Sequence, residues 1–111
     1  MTPPAPHIFD RLFAAIKARK RADPATSYTA SLFRRGIPKI AQKLGEETTE
    51  TIIEAVRGDK ARLREESADL LYHLFVLWAA SGITPDQVGK ILTKRLGQSG
   101  HAEKAQRSAK V

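Results

Sequence analysis

Two acid-rich stretches on either side of a Gly-Asp turn constrain this chain more than any other feature. From Lys43 to Asp69 it reads KLGEETTETIIEAVRGDKARLREESAD, with Glu46, Glu47, Glu50 and Glu54 before Gly58-Asp59 and Glu65, Glu66 and Asp69 after it. A helix advances about 100° per residue, so the first four acids fall within an arc of about 100° and form one stripe. Glu66 and Asp69, three positions apart, share a face of the next helix. A connection this short makes the two helices antiparallel neighbours, and the two stripes can face each other. Like charges on adjacent turns repel by about a few tenths of a kcal/mol per pair, and a second cluster adds to that cost unless a cation sits between them. Carboxylate oxygens in this pattern suit Mg²⁺ or Mn²⁺, hard cations that prefer oxygen ligands.

A solvated acidic face is the competing reading, and the first helix permits it. Ile40, Ala41, Leu44, Ile52, Ala55 and Val56 lie on the side away from the glutamates, and only Ile53 falls near the stripe. The second helix weighs the other way. After Asp69 it runs LLYHLFVLW, apolar at nearly every angle, the pattern of a helix surrounded by protein. Asp69 is thus expected to enter a largely buried segment, where a carboxylate needs a cation or hydrogen-bond donors. A chain of 111 residues forms one domain but is small for a helix covered on all sides, so a partner chain is expected to supply the missing cover.

Helical periodicity extends to both sides of this pair. Ile8, Phe9, Leu12, Phe13 and Ile16 recur at helical spacing, predicting an amphipathic helix over His7–Lys20 whose basic end, KARKR, reads as a solvated terminus. Asp23-Pro24 breaks it, and Ser27, Tyr28 and Thr29 offer hydroxyls to cap a short helix with Leu32 and Phe33 as its apolar residues and Gly36 at its end. Pro38 fits the first turn of the long helix that reaches about Arg57. Lys39 and Lys43 precede the glutamates by one or two turns and either neutralise neighbouring acid or hold phosphate oxygens near a metal. Asp59 is the predicted N-cap of a helix from Lys60 to Ser81, with Gly82 as its stop. His73, one turn after Asp69, reads as a hydrogen-bonded core residue outside the metal set, and Tyr72 as a packing residue with a polar tip. Thr84-Pro85-Asp86-Gln87 has the form of a capping box opening a last helix, with Val88, Ile91, Leu92 and Leu96 as its core residues. The expected fold is all-α, an antiparallel bundle of four to five helices completed by dimerisation, over residues 1–96, with 97–111 as a basic, mobile tail.

Nineteen Lys and Arg against twelve Asp and Glu give a formal charge of +7, so anionic partners are expected. Bases collect in Lys17–Arg21, Arg34–Lys43 and toward the C-terminus, around the acidic centre. That arrangement suits a metal-bound polyphosphate better than nucleic acid, since the chain shows no aromatic platform and its acidic centre repels bare phosphate. The absence of cysteine rules out a disulfide scaffold and a thiolate metal site. The start, MTPPAPHIFD, lacks the pattern of a signal peptide, and the apolar run Leu70–Ala80 is too short for a bilayer, so a cytoplasmic protein without membrane attachment is expected.

Glu46-Glu47-x-x-Glu50 followed by Glu66-x-x-Asp69 resembles the signature of the all-alpha, MazG-like nucleoside triphosphate pyrophosphatases. SYTASLF at 27–33, Gly36, KIAQKLGEE at 39–47 and ESADLLYHLFVL at 66–77 are similar to the phosphoribosyl-ATP pyrophosphatase family within it. The similarity covers about residues 8 to 95. TTETII after the glutamate pair is more threonine-rich than is usual for the family. The resemblance implies Mg²⁺-dependent hydrolysis of phosphoribosyl-ATP to phosphoribosyl-AMP and pyrophosphate, a step of histidine biosynthesis, in a homodimer or larger homo-oligomer. It implies Glu47, Glu50, Glu66 and Asp69 as metal ligands, with Glu46, Glu47 and Glu50 as catalytic residues and Glu46 as a further ligand or as the spare carboxylate that accepts the water's proton. Lys43 and Lys39 would hold polyphosphate, and Ser27, Tyr28 and Thr29 would contact substrate. Two alternatives remain: a relative that removes noncanonical deoxynucleoside triphosphates, and, ranked last, a non-catalytic basic dimer that binds nucleic acid.

Overall fold

The computed structural model describes residues 7–97, and these are helical apart from short connections. Helix α1 spans Ile8–Ala18 and tightens into a 3₁₀ turn at Arg19–Arg21; α2 spans Tyr28–Arg35, α3 Ile37–Arg57, α4 Lys60–Ser81 and α5 Pro85–Leu96. The predicted first helix ran two residues further as α-helix. In the structure the Ala22 N–H instead reaches back to the Arg19 carbonyl (3.0 Å), a tighter turn that satisfies a helix-end acceptor.

Each boundary has a local cause. Ser27 Oγ accepts from the Ala30 N–H (3.1 Å), and Asp59 Oδ1 from the Arg62 N–H (3.0 Å). Thr84 and Gln87 complete the reciprocal capping box at 3.2 and 3.0 Å. Gly58, at φ +79°, ends α3 and turns the chain directly into α4, a conformation that a side chain would strain.

The core lies where α1, α2, α3 and α4 meet: Phe13, Ile16, Leu32, Ile40, Phe75, Val76 and Ala79. Helices α3 and α4 share the most extensive interface, running antiparallel from the Gly58-Asp59 turn. Ile40 and Val76 are fully buried and anchor that pair near the core.

Beyond the core the pattern inverts. In the second half of α3, Glu54 is 6% exposed while Ile52, Ile53 and Val56 are 57, 47 and 84% exposed. Of the acidic side of α3, Glu47 and Glu54 are therefore turned toward α4 while Glu46 stays exposed, and the apolar side faces out. This excludes a solvated face for Glu47 and Glu54, although Glu50 remains open to solvent. Two other expectations are corrected. Asp69 is exposed rather than buried, because in one chain α4 is covered on only part of its circumference. Helix α5 has no buried residue: Val88 is half-buried, whereas Ile91, Leu92 and Leu96 are 52, 56 and 86% exposed. It rests chiefly against α1, which offers it too little surface to cover an apolar stripe. Among the described residues no helix is long and apolar enough to cross a membrane. The predicted tail lies, from residue 98 onward, outside the described residues.

Candidate active site

The register of α3 against α4 brings the two acid clusters together. Thr51, in the threonine-rich run, directs its hydroxyl at the Glu47 carbonyl on its own helix (2.7 Å) and at the Glu66 carbonyl across the interface (3.3 Å). Carboxylate oxygens of Glu47, Glu66 and Asp69 consequently lie within 4.8 Å of one another. Glu47 and Glu66 are half-buried, and Asp69 stands at the open edge.

Electrostatics report the crowding. The Glu66 carboxyl is pushed up to about 6, first by burial, then by a hydrogen bond and charge from Glu50, then by the charges of Asp69 and Glu47. Burial raises Glu47 as well, with the charge of Glu50 next; nearby His73 works in the opposite direction. Glu50 thus lies close enough to act on both neighbours, but its carboxylate is not one of the three that converge. Glu47 Oε2 and Glu66 Oε2 are buried without a hydrogen-bond partner. Two unpartnered carboxylate oxygens beside a third carboxylate are unfavourable alone and fit a hard divalent cation in an all-oxygen setting. Glu54 Oε2 is also unpartnered, but its other oxygen contacts Arg57 Nη1 at 3.4 Å, one turn further along α3.

Glu46 is placed differently from its neighbour. It bonds Lys43 Nζ at 3.0 Å and accepts from Gln42 Nε2 at 3.2 Å. Its carboxyl is lowered chiefly by the hydrogen bond to Lys43, and Lys43 is raised chiefly by the same contact. Lys39 adds a smaller lowering influence on Glu46, so both lysines stand beside the acidic stripe. An ionised Glu46 thus pairs with Lys43 at the solvent-exposed rim.

The SYT segment separates into three roles. Ser27 is buried and occupied as the N-cap of α2. The Tyr28 hydroxyl lies 3.2 Å from His73 Nε2, and Tyr28 also raises Lys43, which places the phenol between α4 and the lysine. Thr29 is hydrogen-bonded to the Tyr72 hydroxyl. His73 is buried, as expected of a core histidine, but it also links two parts of the site. Its Nδ1 lies 2.8 Å from the Asp69 carbonyl, which can only accept. Nδ1 therefore carries the hydrogen, and in the neutral ring Nε2 accepts from Tyr28. The four-residue spacing from Asp69 was the sequence signal for this bridge, but the Tyr28 contact, 45 positions away, left none.

With that geometry established, comparison with known proteins is informative. Residues 9–96 match the family model described as phosphoribosyl-ATP pyrophosphohydrolase. A phosphoribosyl-ATP pyrophosphatase of Azospirillum brasilense is 62% identical over 102 residues, which cover 92% of each chain. One of Granulibacter bethesdensis is 55% identical over 94% of this chain and 65% of its own length, and one of Rhodospirillum rubrum 54% identical over 95% and 90%. The match includes both acid clusters, the turn between them and the SYT segment, and the chain belongs to the phosphoribosyl-ATP pyrophosphohydrolase family.

Proposed function

We propose that this protein hydrolyses phosphoribosyl-ATP to phosphoribosyl-AMP and pyrophosphate in histidine biosynthesis, with Mg²⁺ as the resident ion and Mn²⁺ as a substitute. The observation that carries the reading is the convergence of Glu47, Glu66 and Asp69, with buried, unpartnered oxygens on two of them. These three and Glu50 would hold the ion, and Lys43 and Lys39 would hold polyphosphate oxygens. When bound, the ion screens the anionic phosphoanhydride and makes water a better nucleophile at neutral pH. A water oxygen bonds to phosphorus as the anhydride P–O bond breaks, and the leaving pyrophosphate takes the electron pair. Glu50, exposed and close to both Glu47 and Glu66, is the acceptor we assign for the water's proton. Glu46 orients Lys43 toward substrate through their ion pair, a positioning role rather than the base. Ser27 serves the fold as a cap, and the Tyr28 phenol borders the substrate.

The working unit is a pair of identical chains. A groove of about 560 Å³ on the outer side of α4, lined by Leu63, Ala68 and Leu71 among others, is left open in the single chain. So is the outward apolar side of α3 at Ile52, Ile53 and Val56. A second copy offers matching apolar helices to both. A stable monomer in sedimentation equilibrium would contradict this assembly. The biosynthetic role places the enzyme in the cytoplasm.

The deciding experiment measures pyrophosphate release from phosphoribosyl-ATP and from deoxynucleoside triphosphates, each with and without Mg²⁺. Mg²⁺-dependent turnover of phosphoribosyl-ATP, lost in Glu50→Gln and Asp69→Asn, is the expected result. Faster release from deoxynucleoside triphosphates would assign the noncanonical-nucleotide role instead, and no release by folded protein would reject both.

A further inference from the structure

Resting on the proposed reaction, the substrate has phosphate at both ends, a triphosphate at one and a phosphate monoester on the second ribose at the other. The acid cluster accounts only for the first. Tyr72 lies six residues beyond Glu66 on α4, about 9 Å along the helix at 1.5 Å per residue. Its hydroxyl, paired with that of Thr29, opens into a cleft of about 190 Å³ between α1, α2 and α4. Leu12, Ala15 and Ile16 of α1 and Arg19 of the 3₁₀ turn that follows form one wall, which ends in a guanidinium.

Arg19 is exposed and makes no ion pair among the described residues, and its charge reaches the Tyr72 phenol. The next cation in the chain, Lys20, lies instead over the Phe33 ring, 5.6 Å from its centroid. We propose that this cleft binds the phosphate monoester of the second ribose. Arg19 engages two phosphate oxygens through its planar fork. The Thr29–Tyr72 pair has two hydroxyl hydrogens and spends one on its mutual bond, leaving one to donate to a third oxygen. A volume equal to roughly six waters accommodates the group.

Tyr28 stands between the two ends. Its ring is stacked on Tyr72 at 6.4 Å and 24°, its hydroxyl is held by His73 next to Asp69, and it is 53% exposed. A flat aromatic face at that point suits the purine that joins the two ribose units. The basic run that reads in sequence as a solvated helix end thus contributes one residue to substrate selection.

The experiment compares phosphoribosyl-ATP with ribosyl-ATP, which lacks the terminal phosphate, in wild type, Arg19→Ala and Arg19→Lys. For phosphoribosyl-ATP, Arg19→Ala should lower kcat/KM by about 10- to 100-fold, the range of a charge-assisted hydrogen-bonded pair, mainly through KM, with Arg19→Lys in between. For ribosyl-ATP the three forms should be equal. Equal loss on both substrates, or on neither, would overturn the assignment. Wild type that turns over ribosyl-ATP as well as phosphoribosyl-ATP would also overturn it, while leaving the proposed reaction standing. If wild type turns over neither, that reaction fails and ribose 5-phosphate decides the cleft separately. Shifts of the Arg19 and Thr29 amides in wild type that vanish in Arg19→Ala support the assignment, and their absence refutes it.

Discussion

Removing a metal ligand normally costs a protein stability, but Glu47→Gln should make this one more stable when no metal is present. Glu47 has carboxylate oxygens of Glu66 and Asp69 within 4.8 Å, and its own Oε2 is buried without a partner. At that separation each like-charge pair costs about 0.9 kcal/mol even at the dielectric constant of bulk water. Two neighbours, reduced by salt screening at the open edge, give about 1–2 kcal/mol relieved by the neutral amide. For a domain of this size each kcal/mol moves Tm by roughly 4–8 °C. With Mg²⁺ the order reverses. Wild type should gain about 2.7 kcal/mol at a hundredfold excess over Kd, and the variant much less, having lost one of three converging ligands. Melts followed by circular dichroism at pH 7.5 and low salt, in chelator and in saturating Mg²⁺, should therefore cross. A variant that melts below wild type in chelator, or that keeps the full Mg²⁺ gain, would refute the account of Glu47 as one of several mutually repelling ligands.

Other outcomes follow from the same structure. Glu66 is raised in the folded protein to about 6 from an ordinary 4.5, so between those values the folded state holds more protons than the unfolded. Its contribution to metal-free stability is fully present below 4.5 and is lost as pH rises through about 6, so the wild-type Tm should fall across that window relative to Glu66→Gln. Mg²⁺ must displace that proton, so calorimetric titrations at pH 5 should show weaker binding and more proton release than at pH 7. Thr51→Val removes the hydroxyl that spans α3 and α4, and should cost about 0.5–1.5 kcal/mol in chemical denaturation while weakening Mg²⁺ binding. Unchanged Mg²⁺ affinity would show that the register holds without it. Ile40→Ala, at a fully buried position, should cost about 2–5 kcal/mol and lower Tm without changing KM in the protein that remains folded.

How much of this was legible depends on distance along the chain. Helix ends were readable because Ser27, Asp59 and Thr84 cap within three residues of themselves, and Gly58 acts at its own position. The acid cluster was readable because a two-residue turn converts helical spacing on both sides into facing stripes. The divergence of Glu46 from Glu47 was not. Adjacent residues on a helix point about 100° apart, and only the positions of Lys43 and α4 decide which of the two turns inward. The same limit hid the Tyr28–His73 contact and the exposure of α5, both set by how helices distant in sequence pack together. The apolar residues of α5 were identified correctly as apolar, but α1 alone leaves most of them exposed.

The hairpin at Gly58-Asp59 also bears on the order in which the molecule forms. Glu47 and Asp69 are only 22 positions apart, so every carboxylate of the proposed ion site comes from one contiguous stretch of chain. Closing so short a loop is fast and entropically cheap, and the ion-binding pocket can assemble before α1 or α5 has docked. A divalent ion encountered at that stage draws together two arms that otherwise push apart. For a newly made chain, an ion held at the proposed site would then also favour early pairing of α3 with α4.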